Sequence, residues 1–364
     1  MIVGCTKELK NNEYRVGLTP KNVRQYIAHG HIVLMEKNAG LAAGFDDNEY
    51  IKSGAKIIKC AKDIYAKSDM IIKVKEPEPS EWCLLKNNSI LFTYLHLAAN
   101  PKLTKILLEK SITSIAYETI QDKNSTLPCL VPMSQIAGKM AIFQGANYLQ
   151  QKYKGRGILL GGISDVEKGT VVIIGCGNVG KCAAITAAAL GANIIALDKN
   201  ENKLSDLKNE LKKSVKCLNL TRKNLISSLK KADLVICSVL IPGGSTPKII
   251  TRRDLSIMKK GTVIVDVAID QGGCCETSKP TSHDNPVYEV DGIIHYCVGN
   301  IPGAVPHTST LALTNSTIKY GLKIADKGIK NLEKVNKSIL SGINTYEGLC
   351  INKNVAKAYF KNNL

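Results

Sequence analysis

Two α/β domains, each built on a largely parallel sheet, with the second inserted into the first, are what this sequence predicts. Three observations lead there: a length beyond what one core usually spans, short apolar β-branched runs that alternate with helical patterns, and a mainly helical stretch that closes the chain. In the first part the runs are "HIVLMEK", "MIIKVKEP", "ILFTYLHLA" and "ITSIAYET". In the second they are "TVVIIGCG", "ANIIALDK", "VKCLNL", "DLVICSVL", "GTVIVDVAI" and "GIIHYCVGN". Continuous apolar runs of this kind suit strands covered on both faces. Between the two groups, residues 134–152 repeat apolar positions at helical spacing and predict a long connecting helix. Beyond Pro306 the pattern is mainly helical, with no further sheet expected. That segment must pack somewhere, and crossing back onto the first domain makes the first domain discontinuous. The expected division is 1–130 plus 307–364 for one domain and 131–306 for the other.

Composition narrows the function. The chain is 44% hydrophobic and 22% charged, a globular balance, with a formal net charge of +18. Such a charge would suit a polyanion partner. The lysines, however, are spread along the whole length and fall on the solvent face of amphipathic patterns such as "KNELKKSVK" and "KNLISSLKK". No basic block with interleaved aromatics, zinc-finger spacing or arginine-rich arm occurs, so no nucleic-acid partner is expected. The twelve cysteines lack CxxC spacing, and the chain starts directly on an apolar strand, "MIVGCTKE". No apolar run approaches the roughly 18 residues that span a membrane. Free thiols in a reducing cytoplasm, with no membrane association, are the expectation.

The most informative stretch is "TVVIIGCGNVGKCAAITAAALGANIIALDKN", where Gly175, Gly177 and Gly180 stand in GxGxxG spacing. A strand leads in, an alanine-rich helix follows, and a second strand ends on Asp198, 18 residues past Gly180. In this context Gly175 permits the turn, Gly177 lets the backbone approach a pyrophosphate, and Gly180 lets helix and strand pack closely. The helix N-terminus offers free N–H groups to the phosphates. Asp198 can accept both adenosine ribose hydroxyls and repels a 2′-phosphate, so the expected cofactor of this Rossmann-like domain is NAD. Three later strand ends, "VLIPGG" after Val239, "AIDQGG" and "VGNIPGAVP", should line the nicotinamide side. Asp270, at a strand end, is the carboxylate expected there, whereas Asp266 lies within the strand and reads as structural.

A nicotinamide enzyme also needs a second domain that holds the small substrate. Arg15 follows a loop and offers a planar fork matched to a carboxylate. Lys75 ends an apolar strand just before Glu76 and Pro77. His96 interrupts the buried pattern "SILFTYLHLAAN" with a group that ordinarily titrates near neutral pH.

Taken in order, "KELKNNEYRVGLTP", "MIIKVKEP", "LFTYLHLAA", "SIAYETI", "PMSQIAGKMA", "VVIIGCGNVG", "VDVAIDQGGC" and "PVYEVDGIIHYCVGNIPGAVPHTST" resemble the signature blocks of the L-alanine dehydrogenases, from residue 1 to about 350. The resemblance implies NAD-dependent interconversion of L-alanine with pyruvate and ammonia. It implies that Arg15 binds the substrate carboxylate, Lys75 the carboxylate or carbonyl oxygen, that His96 is the general acid/base, and that Asp270 orients the attacking water. Glu13 is implied as a partner of the basic cluster. On the cofactor side it implies Ser134, Asn178, Val179, Asp198, Lys203, Val239 and Leu240. It also implies Val267, Ala268, Ile269 and Asp270, and Val298, Gly299, Asn300 and Ile301. Some positions depart from the family pattern. Lys279 stands where an arginine is usual near the cofactor, and Leu220 where a small polar residue often touches the adenosine. Gly299 and Gly303 replace bulkier residues, and Lys323 and Lys327 replace groups that hold a divalent ion in some relatives, so no metal is expected. A homo-oligomer, hexameric, is implied by the resemblance alone. The rival readings are the NAD-binding subunit of proton-translocating transhydrogenase, which needs no Lys75, His96 and Asp270 set, and an amino-acid dehydrogenase for another 2-oxo acid.

Overall fold

The computed structural model describes residues 1–239, 246–329 and 337–361. The chain forms two compact units, Met1–Met133 with Val305–Leu364, and Ser134–Ala304.

In the first unit the strands are β1 (Ile2–Cys5), β2 (Ile32–Glu36), β3 (Lys56–Ile58), β4 (Met70–Ile72), β5 (Ile90–Thr93) and β6 (Thr113–Ala116). The second unit holds β7 (Thr170–Ile174), β8 (Asn193–Asp198), β9 (Val215–Asn219), β10 (Leu234–Cys237), β11 (Val263–Asp266), β12 (Val287–Val290) and β13 (Ile293–Tyr296). Two more, β14 (Ile343–Tyr346) and β15 (Leu349–Cys350), return to the first unit. The sheet orders are β15-β14-β6-β5-β4-β1-β2-β3 and β12-β13-β11-β10-β7-β8-β9. In each, six strands run parallel in doubly wound order, reversing direction of growth between β1 and β4 in one and between β7 and β10 in the other. The two-domain α/β fold expected from the alternating runs is the fold observed.

The apolar runs work as expected for strands covered on both faces. In β7, Val171 and Ile173 join one core with Leu234, Ile236, Val263 and Val265. Val172 and Ile174 join the other with Val235, Cys237 and Ile264. The helix Asn178–Ala189 buries Gly180, Ala183, Ala184 and Ala187, a stripe of small residues that lets it lie close to the sheet. On the helix Glu201–Leu211 only Leu204 and Leu207 are buried, and its lysines face solvent.

Two expectations need correction. The stretch after Pro306 is not purely helical. The helix Pro306–Lys327 is followed by β14, antiparallel to β6, and then by β15. Thr345 anchors this addition, its hydroxyl 2.7 Å from Ser114 Oγ and donating to the Ile112 carbonyl at 2.8 Å. Such short edge strands carry too little periodicity to stand out. The connecting helix runs over Val131–Tyr148, earlier than expected at both ends. Its end is fixed where the chain folds back: a Cβ on Gly155 would lie 2.2 Å from the Tyr148 carbonyl oxygen.

Candidate active site

In the first unit, the side chains of interest sit past the carboxyl ends of neighbouring strands, near where the strand order reverses. Open α/β sheets bind ligands there. Lys75 lies three residues beyond β4 and His96 three beyond β5, two strands that pair in parallel with Ile72 opposite Phe92.

Arg15 is buried in the loop after β1, gripped by Glu13 along one edge of its fork. Nε donates to Oε1 at 2.7 Å and Nη2 to Oε2 at 2.5 Å, while Nη1 points at Met133 Sδ, 3.1 Å away. Burial works against the charged guanidinium, but the Glu13 carboxylate outweighs it and raises the pKa. The result is a fixed, permanently cationic plane in a water-poor place, suited to a carboxylate.

The Lys75 loop rests on a buried ionic network. Lys73 is fully enclosed, with Nζ 3.0 Å from Glu81 Oε1, 3.5 Å from Glu8 Oε2 and 3.4 Å from Thr6 Oγ1. Tyr65 donates to Glu81 Oε1 at 2.8 Å. Glu8 in turn accepts from the Val74 N–H at 2.7 Å and the Lys75 N–H at 3.3 Å. Burial pushes Glu8 up to about 7, against the pull of Lys73. Burial also penalises the Lys73 ammonium, yet Glu8, Tyr65 and Glu81 more than reverse this and hold it cationic.

Lys75 itself is half-buried, its carbonyl accepting from Thr93 Oγ1 at 3.0 Å. The next residue, Glu76, accepts from Lys10 Nζ at 2.7 Å through Oε1, and its buried Oε2 has no hydrogen-bond partner among the described residues. Burial would raise the Glu76 pKa, but Lys10, Lys75 and His96 hold it below the usual carboxylate range.

His96 is exposed, and its backbone is left-handed, with φ 48° and ψ 36°. For a residue with a side chain that costs roughly 1–2 kcal/mol, and such strain persists where surrounding contacts enforce it. Glu118 meets this turn, accepting from the His96 N–H at 2.7 Å and from the Leu95 N–H at 3.2 and 3.3 Å. The imidazole stacks on Tyr94, with centroids 6.1 Å apart and planes 9° from parallel. The Arg15 cation acts on that same phenol, which donates to the Cys129 carbonyl at 2.6 Å.

In the second unit, Gly175 takes φ +95°, which favours glycine. A Cβ on Gly180 would fall 1.8 Å from the Gly175 carbonyl oxygen, so only hydrogen fits. Among the described residues, a Cβ on Gly177 would meet nothing within 4 Å, and no side chain caps the helix that starts at Asn178. The bare turn therefore presents open space and uncapped N–H groups, as a pyrophosphate requires. Asp198 is half-buried at the end of β8, where Oδ2 accepts from the Cys176 N–H at 2.6 Å and Oδ1 from the Asn200 N–H at 2.8 Å. Lone pairs remain on both oxygens for sugar hydroxyls. Leu220 donates its N–H to the Asp198 carbonyl at 2.9 Å, next to that strand end.

Among the other residues expected to line the cofactor, Asn178 and Val179 open the helix and Ser134 is half-buried on the helix Val131–Tyr148. Val239 lies just past β10, and Leu240 falls outside the described residues. Lys203 is exposed on the helix Glu201–Leu211. Lys279 is exposed too, its Nζ 4.6 Å above the Tyr288 ring. Val267, Ala268, Ile269 and Asp270 form a short turn capped by Asp266. Asp270 is exposed, and its Oδ1 would lie 3.0 Å from a Cβ on Gly299. Val298, Gly299, Asn300 and Ile301 follow β13, with Asn300 left-handed at φ 61°. Asp266 lies within 4.8 Å of the thiols of Cys237 and Cys274. Its oxygens accept from the N–H groups of Ala268, Cys274 and Cys275 and from Ser278 Oγ, so it anchors the loop that carries Asp270.

Two doubly wound sheets, one with a dinucleotide turn and one with a fixed cationic edge, define a two-domain dehydrogenase. The chain matches the family described as "Alanine dehydrogenase/PNT" in its N-terminal domain over residues 4–137 and in its C-terminal domain over residues 141–353. It belongs to that family. An alanine dehydrogenase of Methanococcus maripaludis is 49% identical over 360 residues, which cover 99% of this chain and 96% of the relative. A solved L-alanine dehydrogenase is 44% identical with a TM-score of 0.96, covering 99% of both chains. A transhydrogenase from Sinorhizobium meliloti, 23% identical over 97% of this chain and 99% of its own, shares the fold at a TM-score of 0.83.

Proposed function

We propose that this protein is an NAD-dependent L-alanine dehydrogenase, which reversibly deaminates L-alanine to pyruvate and ammonia. The observation that carries the reading is that Arg15, Lys75 and His96 all follow the carboxyl ends of β1, β4 and β5, three adjacent parallel strands of one sheet. A protein that only passed hydride between nicotinamides would have no use for a carboxylate fork and an exposed imidazole together.

The residues divide the work as follows. Arg15 holds the substrate carboxylate, and Lys75 contacts the carboxylate or the carbonyl oxygen with its preorganised charge. Bound NAD supplies the acceptor for the hydride leaving Cα of the free-amine form of alanine. The glycine turn, Asp198 and the residues after β10, β11 and β13 would hold it. His96 takes a proton from a water oriented by Asp270, and the water adds to the iminium carbon of the substrate. His96 then returns a proton as the carbinolamine collapses to pyruvate and ammonia. The same steps reversed assimilate ammonia.

The test is NADH oxidation with pyruvate plus ammonium, set beside other 2-oxo acids. Pyruvate should be the best of the panel, and Asp270→Asn should lower turnover by roughly 100-fold or more. Reduction of a nicotinamide analogue with no ammonium-dependent activity would favour the transhydrogenase reading. A homo-oligomer, hexameric, and a cytoplasmic location belong to the same proposal. All twelve cysteines are unpaired, which suits a reducing compartment. No described helix is long and apolar enough to cross a membrane.

Cofactor choice is separately testable. Asp198→Asn keeps an oxygen for the Cys176 N–H and removes the charge. NADH affinity should fall by about tenfold and the preference over NADPH should shrink, since a charged acceptor is worth more than a neutral one. An unchanged ratio of the two dissociation constants, measured by fluorescence titration, would remove Asp198 from this role.

A further inference from the structure

We propose that Glu118 is a positioning residue for the reaction, a carboxylate clamp that holds the His96 turn in its left-handed shape and so aims the imidazole. The inference rests on the reading of His96 as the acid/base.

Past the end of β5 the chain leaves the sheet, and its N–H groups lose their ladder partners. The N–H groups of Leu95 and His96 are met instead by one carboxylate, reaching in from the short turn Tyr117–Thr119 that follows the neighbouring strand β6. The bond to His96 N is the shortest of the set at 2.7 Å, and the bonds to Leu95 N are 3.2 and 3.3 Å. Bonds from backbone N–H to an ionised acceptor are stronger than those between neutral groups. Leu95 is buried, so the clamp is fixed to the core on one side and ends on the exposed imidazole on the other. The left-handed φ of His96 is what the clamp maintains. Without it, the turn can relax towards ordinary backbone angles and swing the ring.

The same device appears one strand over. Glu8 accepts from Val74 N and Lys75 N, again two consecutive N–H groups past a strand end and again immediately under a side chain with a proposed catalytic role. Thr93 Oγ1 donating to the Lys75 carbonyl ties the two strand ends together. Each of these two strand ends is closed by a glutamate distant in sequence, at the residue whose direction the chemistry needs.

The experiment compares the parent, Glu118→Ala, Glu118→Gln, His96→Gly and the double variant His96→Gly/Glu118→Ala, with kcat, the KM for pyruvate, the NADH dissociation constant and thermal unfolding measured for each. Glu118→Ala should lower kcat by roughly 10- to 100-fold, the scale of an ångström-level misplacement, and leave NADH binding unchanged. Glu118→Gln keeps an oxygen for the His96 N–H and should recover most of the loss. In the His96→Gly background the second substitution should cost no more than about twofold, because no imidazole remains to aim and glycine takes positive φ freely. If Glu118→Ala does not fold, Glu118→Asp, with the same charge on a shorter arm, should show the same selective loss in kcat. Turnover of Glu118→Ala, or of Glu118→Asp in its place, within twofold of the parent would overturn the proposal. So would an equal loss in the parent and His96→Gly backgrounds. Parental turnover in His96→Gly itself would instead remove the acid/base reading on which the proposal stands.

Discussion

His96→Ala should remove nearly all turnover while leaving NADH affinity nearly unchanged. A positioned acid/base group contributes on the order of 10²- to 10⁴-fold, and a loss in that range is expected in kcat with pyruvate and ammonium. The side chain is exposed and its stacking on Tyr94 is its one described ring contact, so its removal leaves no cavity. The thermal midpoint should therefore move little, as for most surface substitutions. The backbone bonds from Glu118 do not involve the imidazole and should persist in the variant. The discriminating measurement is fluorescence titration with NADH beside the steady-state assay. A large loss of NADH binding, or a fall of many degrees in the unfolding midpoint, would make His96 a structural residue and leave the acid/base role without an occupant.

How much of this was legible in the sequence follows from where each contact is made. The glycine turn is local: Gly175, Gly177 and Gly180 lie within six residues, and the steric demand on each, an open approach at Gly177 and no room at Gly180, is a property of one strand-turn-helix unit. The apolar runs of β7, β10 and β11 are likewise local, because strands covered on both faces need no polar positions. Glu8 and Glu118 belong to another category. Glu8 bonds to a residue 66 positions later, Glu118 to one 22 positions earlier, and nothing near either glutamate announces a buried acceptor. Lys73 and Lys75 look equivalent in "IIKVKEP", yet one is fully enclosed and the other half-exposed. Charged residues are so seldom enclosed that pattern alone assigns both to solvent. The missed hairpin of β14 and β15 did leave a trace. Glu347 and Gly348 both take positive φ between Tyr346 and Leu349, a two-residue connection of the kind that joins antiparallel strands. With glutamate rather than asparagine or aspartate before the glycine, and a two-residue strand after it, the signal was too weak to outweigh the helical pattern around it.

Lys73→Met is expected to have the largest effect on stability. Methionine fills much of the same volume, but it leaves Glu8 and Glu81 buried without the ammonium that now lies 3.5 and 3.0 Å from them. Breaking a buried ionic group by removing one partner costs roughly 3–5 kcal/mol. For a unit of this size that corresponds to a fall on the order of 10 °C in the unfolding midpoint. The pH dependence gives the sharper check. Burial holds Glu8 at about 7 in the folded protein, above its ordinary value of 4.5. A carboxyl shifted upward on folding contributes stability that is fully present below the unfolded value and is lost as pH rises through the folded one. Without Lys73 its main attracting charge is gone, so the folded value moves further up and the loss continues into the alkaline range. The gap in midpoint between parent and variant should therefore be smallest near pH 5 and widen towards pH 8.5. Adding Glu8→Gln to Lys73→Met should close part of the alkaline gap, because the carboxyl that must stay protonated is gone. A gap that is constant with pH, or that narrows as pH rises, would show that Lys73 stabilises the sheet edge by packing rather than by charge. Because Glu8 also holds Val74 N and Lys75 N, the alkaline destabilisation should be accompanied by a rise in the KM for pyruvate below the unfolding range, as the Lys75 loop loosens before the sheet opens.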